Sequence, residues 1–237
     1  MILSELIQRS PIRIFERSIH GGLKAGEIGI IASAKGIGKT SVLVQLALDK
    51  LLQGKKVIHV SFTQHSHYVL AWYEDIFNEF INRKNLENID EVKNDLVKNR
   101  VLMNFSQDGI SIDQMLKSLR AMIVEGGFAA EALIIDGFDF SRATHEAIAT
   151  IREFTRELGI SVWYSCSAGD KGRQNGKNNI PPEIAGFADL IDVIVILEPK
   201  SDHIVFSVSK DRDNLDTKVL AMKLDPKTLL IFDGNGP

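Results

Sequence analysis

Short apolar runs alternate along this chain with longer stretches in which apolar residues return every three or four positions. The short runs predict buried strands at about 27–32, 57–62, 101–105, 132–136 and 160–166. Helical spacing fills the stretches between them. One helix opens at Ser41 and reaches Leu52, and another over Tyr68–Asn82 places Val69, Trp72, Ile76 and Phe80 on one face. Further helices are predicted at about 86–98, 112–124 and 143–158. Ser111 is placed to cap the helix at 112, and the next one begins near Ser141 and closes at Gly159. A short helix is expected at 181–188, and strands near 191–197, 203–209, 217–223 and 228–232 make a β-hairpin-rich C-terminal part.

Strands separated by helices predict an α/β fold, a mostly parallel twisted sheet with helices on both faces. A ligand on such a sheet belongs at the carboxyl ends of its strands. No internal repeat or linker divides the chain, so residues 1–14 read as a short N-terminal segment on the surface and 15–237 as a single domain. The stretch Gly169–Asn179 has no apolar residue to bury and predicts a mobile loop.

Composition narrows the partners. A formal net charge of −3 gives no global pull toward nucleic acid or an anionic membrane. The one cysteine, Cys166, cannot form an internal disulfide, which suits a reducing cytoplasm. Glu5 and Arg9 interrupt the first ten residues, unlike a secretory signal, and no charge-free apolar run approaches the ~18 residues that span a bilayer.

The candidate chemistry begins at Ser33-Ala-Lys-Gly-Ile-Gly-Lys-Thr40, between a predicted strand and a predicted helix. That context is what a phosphate-binding loop requires. Gly36 and Gly38 let backbone N–H groups converge on an anion, and the helix N-terminus adds partial positive charge. Lys39 is placed to reach β- and γ-phosphates, and the Thr40 hydroxyl to bind Mg²⁺. The expected nucleotide contacts are Ser33, Ala34, Lys35, Gly36, Ile37, Gly38, Lys39, Thr40 and Ser41. Ser33 stands where the full pattern has Gly, a change between small residues. Asp136 ends the apolar run Ala132-Leu-Ile-Ile135, where a second magnesium ligand would sit across from Thr40.

With these pieces in place the chain resembles the RecA-like ATPases, in particular their KaiC, RadA and DnaB-type core. The similarity rests on Gly21-Gly-Leu-Lys-Ala-Gly-Glu27, Gly36–Thr40, Ala132–Asp136 and Ser209-Lys-Asp-Arg212, and covers about residues 12–232. It implies a RecA-like P-loop NTPase fold with ATP and Mg²⁺ as cofactors. It further implies that Lys210 and Arg212 reach the γ-phosphate of a neighbouring subunit, so that the protein works as a homo-oligomeric ring or filament. In recombinase and helicase members the region matching 169–179 faces DNA, and here it carries Lys171, Arg173 and Lys177 but no aromatic residue to stack on bases.

The resemblance also exposes a departure. Similar ATPases carry a water-activating glutamate after the second strand, where this chain reads Ser61-Phe-Thr-Gln-His-Ser66. Gln64 could orient a water instead, as a glutamine does in some GTPases, and His65 or His67 could accept a proton. Losing a general base commonly lowers the rate by ~10²–10⁴. Near the family's polar sensor position lie Ser165, Ser167 and Cys166, the last expected to be a buried, inert thiol. Three readings follow. The first is a slow Mg-dependent ATPase acting as an oligomer. The second is a non-hydrolysing nucleotide switch or scaffold that recruits a partner protein, and the third a DNA recombination or repair accessory.

Overall fold

A computed structural model describes residues 7, 10–63, 65–84, 89–106, 108–169 and 179–234. The strands are β1 (Ile28–Ser33), β2 (Val57–Ser61), β3 (Arg100–Asn104), β4 (Ala132–Asp136), β5 (Ser161–Ser167), β6 (Val193–Pro199), β7 (Ile204–Asp211), β8 (Lys218–Leu224) and β9 (Ile231–Asp233). They form one sheet in the order β3-β2-β4-β5-β1-β6-β7-β8-β9. The pairs from β3 through β6 are parallel, and β6 to β9 pair antiparallel. The sheet is thus α/β and mostly parallel, as the alternation of patterns predicts. The expected C-terminal hairpins are present, β6–β7, β7–β8 and β8–β9, and β6 also lies parallel beside β1, which joins them to the parallel part of the sheet.

Helices α1 (Pro11–Ser18), α2 (Lys39–Leu52), α3 (Ser66–Lys84) and α4 (Ile89–Lys98) share one apolar layer. There Phe15, Leu43, Tyr73 and Leu96 meet the strand residues Ile31, Ile134, Trp163 and Phe206. Helices α5 (Ile112–Arg120), α6 (His145–Leu158) and α7 (Pro182–Ala185) belong to a second layer, with Leu119, Ile151 and Ile184 against Ile30, Val60, Ile135 and Val162. Consecutive strand residues turn to opposite faces, so runs such as Leu133-Ile-Ile135 must be apolar throughout to be buried twice.

Local chemistry sets the helix ends. Ser111 builds a full capping box with Gln114. That helix is α to Arg120 and continues as a π-helix over Ala121–Glu125, so the helical stretch expected at 112–124 is present. Thr144, not Ser141, caps α6: its hydroxyl accepts from the Ala147 N–H, while Ser141 sits in a 3₁₀ turn at Phe140–Arg142. Ser10 caps α1, whose Ile12 and Phe15 are core residues, so the boundary expected at residue 14 falls inside a helix of the main core. Among the described residues no helix is long and apolar enough to cross a membrane.

Candidate functional site

β1 is buried along its whole length and ends in the loop 33–38, from which α2 rises. Helix α2 is buried on nearly every side, with Leu43, Val44, Ala47 and Leu51 almost without exposure, so its N-terminus is fixed at the carboxyl edge of the sheet. Gly38 caps it at φ +105°, and a Cβ there would stand 2.7 Å from Leu224 Cδ2. Gly36, at φ +83°, faces open space: a Cβ added to it meets nothing within 4 Å. A positive-φ turn opening onto a helix N-terminus is a cradle for an anion.

Lys39 is only 9% exposed. Its Nζ donates to Ser33 O at 3.1 Å, Ser33 Oγ at 3.4 Å and Ala34 O at 2.9 Å. Burial holds its pKa below the usual lysine range, and the Asp136 carboxylate opposes that shift. The cation therefore rests on neutral oxygens, and an entering phosphate offers it better partners.

Asp136, at the end of β4 and 4% exposed, is separated from β1 by β5 alone. Thr40 Oγ1 donates to its Oδ2 at 2.7 Å and Ser165 Oγ to its Oδ1 at 2.5 Å. The Gly137 N–H donates in turn to Ser165 Oγ at 2.8 Å, which orients that hydroxyl. The Thr40–Asp136 spacing is close to that of adjacent oxygens around magnesium, roughly 2.9 Å for ligands at 2.0–2.1 Å. Among the described residues no three His, Cys, Asp or Glu side chains gather to hold a metal. A magnesium ion here would draw its remaining ligands from phosphate and water, as this ion commonly does. The donor set fits a nucleotide-borne Mg²⁺.

The other loop residues divide. Lys35 is exposed, Ile37 packs against the core, and the Ser41 hydroxyl is spent on Leu229 O at 2.7 Å. Cys166 is buried, its thiol pushed up to about 12 chiefly by desolvation, in keeping with an inert role. His65 and His67 are exposed and stacked, ring centroids 5.9 Å apart. Gln64 lies outside the described residues, as do residues 170–178 with Lys171, Arg173 and Lys177.

Lys210 and Arg212 are not brought to this loop. Asp211 pairs with Val193, and Val193 with Gly29 near the start of β1, so both cations lie at the opposite edge of the sheet. Six residues of strand put that edge roughly 15 Å away. Arg212 there directs all five of its side-chain N–H groups inward, to both Glu27 oxygens, Asp211 Oδ1, Ile19 O and Gly22 O. Lys210 Nζ donates to Ala188 O and Ile191 O, each at 2.5 Å. Both act as staples within the chain, holding β7 to the turn before β1 and to the segment after α7.

The turn between β8 and β9 is a neighbour of the site that pattern reading missed. Gln45 Nε2 donates to Leu229 O at 2.9 Å and its Oε1 accepts from the Ile231 N–H, which ties this turn to α2. Asp225-Pro-Lys reads locally as a turn, but nothing local announces a contact with a helix some 185 residues earlier. No protein-family model and no curated protein matches this chain.

Proposed function

We propose that the chain is a RecA-like P-loop protein that binds ATP and Mg²⁺ at the edge formed by residues 33–41 and Asp136, and hydrolyses ATP slowly as an oligomer. One observation carries this reading: Thr40 and Asp136, 96 residues apart in sequence, share a hydrogen bond beside the buried Lys39. A nucleotide phosphate needs a desolvated cation and amide donors, and its magnesium needs hard oxygens within reach. All of these are found at this one edge. Lys39 would bind β- and γ-oxygens, Thr40 and Asp136 would hold the metal, and Ser165 would keep the carboxylate aimed at it. The bound ion would neutralise charge on the phosphates. Gln64 would position the attacking water in place of the absent glutamate, which makes turnover slow.

A second reading, the non-hydrolysing switch, is favoured by Arg212. Each of its N–H groups already has an acceptor, so it offers nothing to a neighbour's phosphate unless that network is exchanged. The test is ATP turnover with Mg²⁺, measured beside binding of a fluorescent ATP analogue. Turnover that disappears in Lys39→Ala supports the enzyme. Binding without turnover, with hydrolysis gained in Gln64→Glu, supports the switch. Absence of binding overturns both.

A further inference from the structure

The sheet ends at β9, which is three residues long and pairs with Met222–Leu224 of β8. One more bond, from the Gly234 N–H to Ala221 O, extends that pairing. The first half of β8, Lys218–Leu220, is therefore an outer edge of the sheet, with no partner strand on that side among the described residues. Residues 215–217 lead into it without a turn or bend, and every side chain from Leu215 to Val219 is exposed. Five large apolar side chains stand exposed among the described residues, and two of them, Leu215 at 39% and Val219 at 64%, bracket this stretch. Thr217 is held in place by Asn179 Nδ2, which donates to its hydroxyl at 2.8 Å. Asp216 and Lys218 have no ion-pair partner among the described residues.

An open edge is a template for another strand, and a lysine on it ordinarily discourages pairing. Here the lysine has a counterpart. Leu215-Asp-Thr-Lys-Val219 reads apolar, acidic, polar, basic, apolar, so it is complementary to itself when run antiparallel. Pairing two copies about Thr217 sets Leu215 opposite Val219 and Asp216 opposite Lys218, each contact made twice across a two-fold axis. Side chains alternate along a strand, so the apolar pairs share one face and the charged pairs the other. Leu220 enters the core layer of α1 and α2, so Val219 belongs to the opposite, open face. We infer that this edge joins two copies of the chain, antiparallel and centred on Thr217. Such a contact closes on itself, so it makes a dimer and not the repeating contact of a ring or filament, and it needs no nucleotide.

The test is sedimentation velocity of the full-length protein without nucleotide, over about 1 to 300 μM. A monomer–dimer equilibrium is expected. Lys218→Asp sets acid against acid twice and should weaken the dimer about 10–100-fold; Asp216→Lys sets base against base and should do the same. Both positions are exposed, so the melting temperature of each variant should stay at the parent's value. The two changes together test the register. D216K/K218D restores opposite charges in every cross-strand pair and should dimerise like the parent. Asp216→Lys chains mixed with Lys218→Asp chains should form a heterodimer. A protein that stays monomeric over the whole range overturns the inference. So does a dimer that Lys218→Asp leaves unchanged, or one that the double variant fails to restore.

Discussion

Lys39 shows how a single side chain can be prepared for an anion. Its ammonium is stripped of most of its water and compensated by carbonyl and hydroxyl oxygens of its own loop. On the proposed reading, Lys39→Ala should lower affinity for an ATP analogue about 10–100-fold, the weight of the charged hydrogen bonds lost. Fluorescence titration of folded protein reads this directly. Ser165 is a subtler case, since it would touch neither phosphate nor metal and acts through Asp136. Ser165→Ala leaves Asp136 Oδ1 without its donor and frees the carboxylate to turn. Loss of an outer-shell partner typically lowers metal affinity 10–100-fold. The Mg²⁺ concentration that half-saturates ATP binding should rise by about that factor, while affinity for ATP measured in EDTA stays unchanged. An effect of equal size in EDTA would make Ser165 a packing residue instead.

At the scale of elements, the turn before β1 and the end of β7 are held by Arg212, Glu27 and Asp211. Arg212→Ala would take the guanidinium from two largely buried carboxylates and two carbonyls, leaving Glu27 only the Lys24 N–H and Asp211 only His20, a loss of about 2–4 kcal/mol. For a domain of this size that is a fall in Tm of roughly 5–15 °C, visible without nucleotide and independent of protein concentration. A cation serving only a neighbour's phosphate would leave Tm untouched and lower turnover alone. The contrast explains what the sequence could and could not disclose. The strand 132–136 is located to the residue because an apolar run and its terminal acid are local facts, and so is the Ser111 cap. The start read near Ser141 falls one turn early, because Ser141 belongs to a 3₁₀ turn and the Thr144 hydroxyl caps α6. The direction of β6 depends on pairing with a strand some 165 residues earlier, which no window of local pattern contains. Ser209-Lys-Asp-Arg212 matches a short motif, yet every partner of Arg212 except the adjacent Asp211 lies 185–193 residues away.

For the molecule as a whole, one sheet with an apolar layer on each face places titratable groups where water cannot follow. His59, central in β2, shares a hydrogen bond with Tyr73 at 3.0 Å, and its Nε2 has no partner among the described residues. Burial lowers its pKa from 6.5 to about 4; the Asp136 carboxylate opposes that shift and the Arg100 guanidinium adds to it. Between these two values the unfolded chain binds a proton that the native fold refuses, so stability falls as pH drops from 6.5 toward 4. The slope is about 1.4 kcal/mol per pH unit and the total about 3 kcal/mol. Cys166 bounds the other side. Its thiol is raised from 9.0 to about 12 by burial, so above pH 9 the unfolded chain releases a proton that the native chain keeps. Stability then falls as pH rises, with a similar initial slope. Urea midpoints should form a plateau between about pH 6.5 and 9 with a decline on each flank. Cys166 opens the alkaline flank at pH 9, and above pH 10 the buried Tyr73 and Tyr164 hydroxyls, also raised by burial, steepen it. His59→Gln should flatten the acid limb between pH 4.5 and 6.5, and Cys166→Ala should flatten the alkaline limb between pH 9 and 10. An acid limb that keeps its slope in His59→Gln would mean that surface carboxylates, and not this buried imidazole, set the acid stability of the fold.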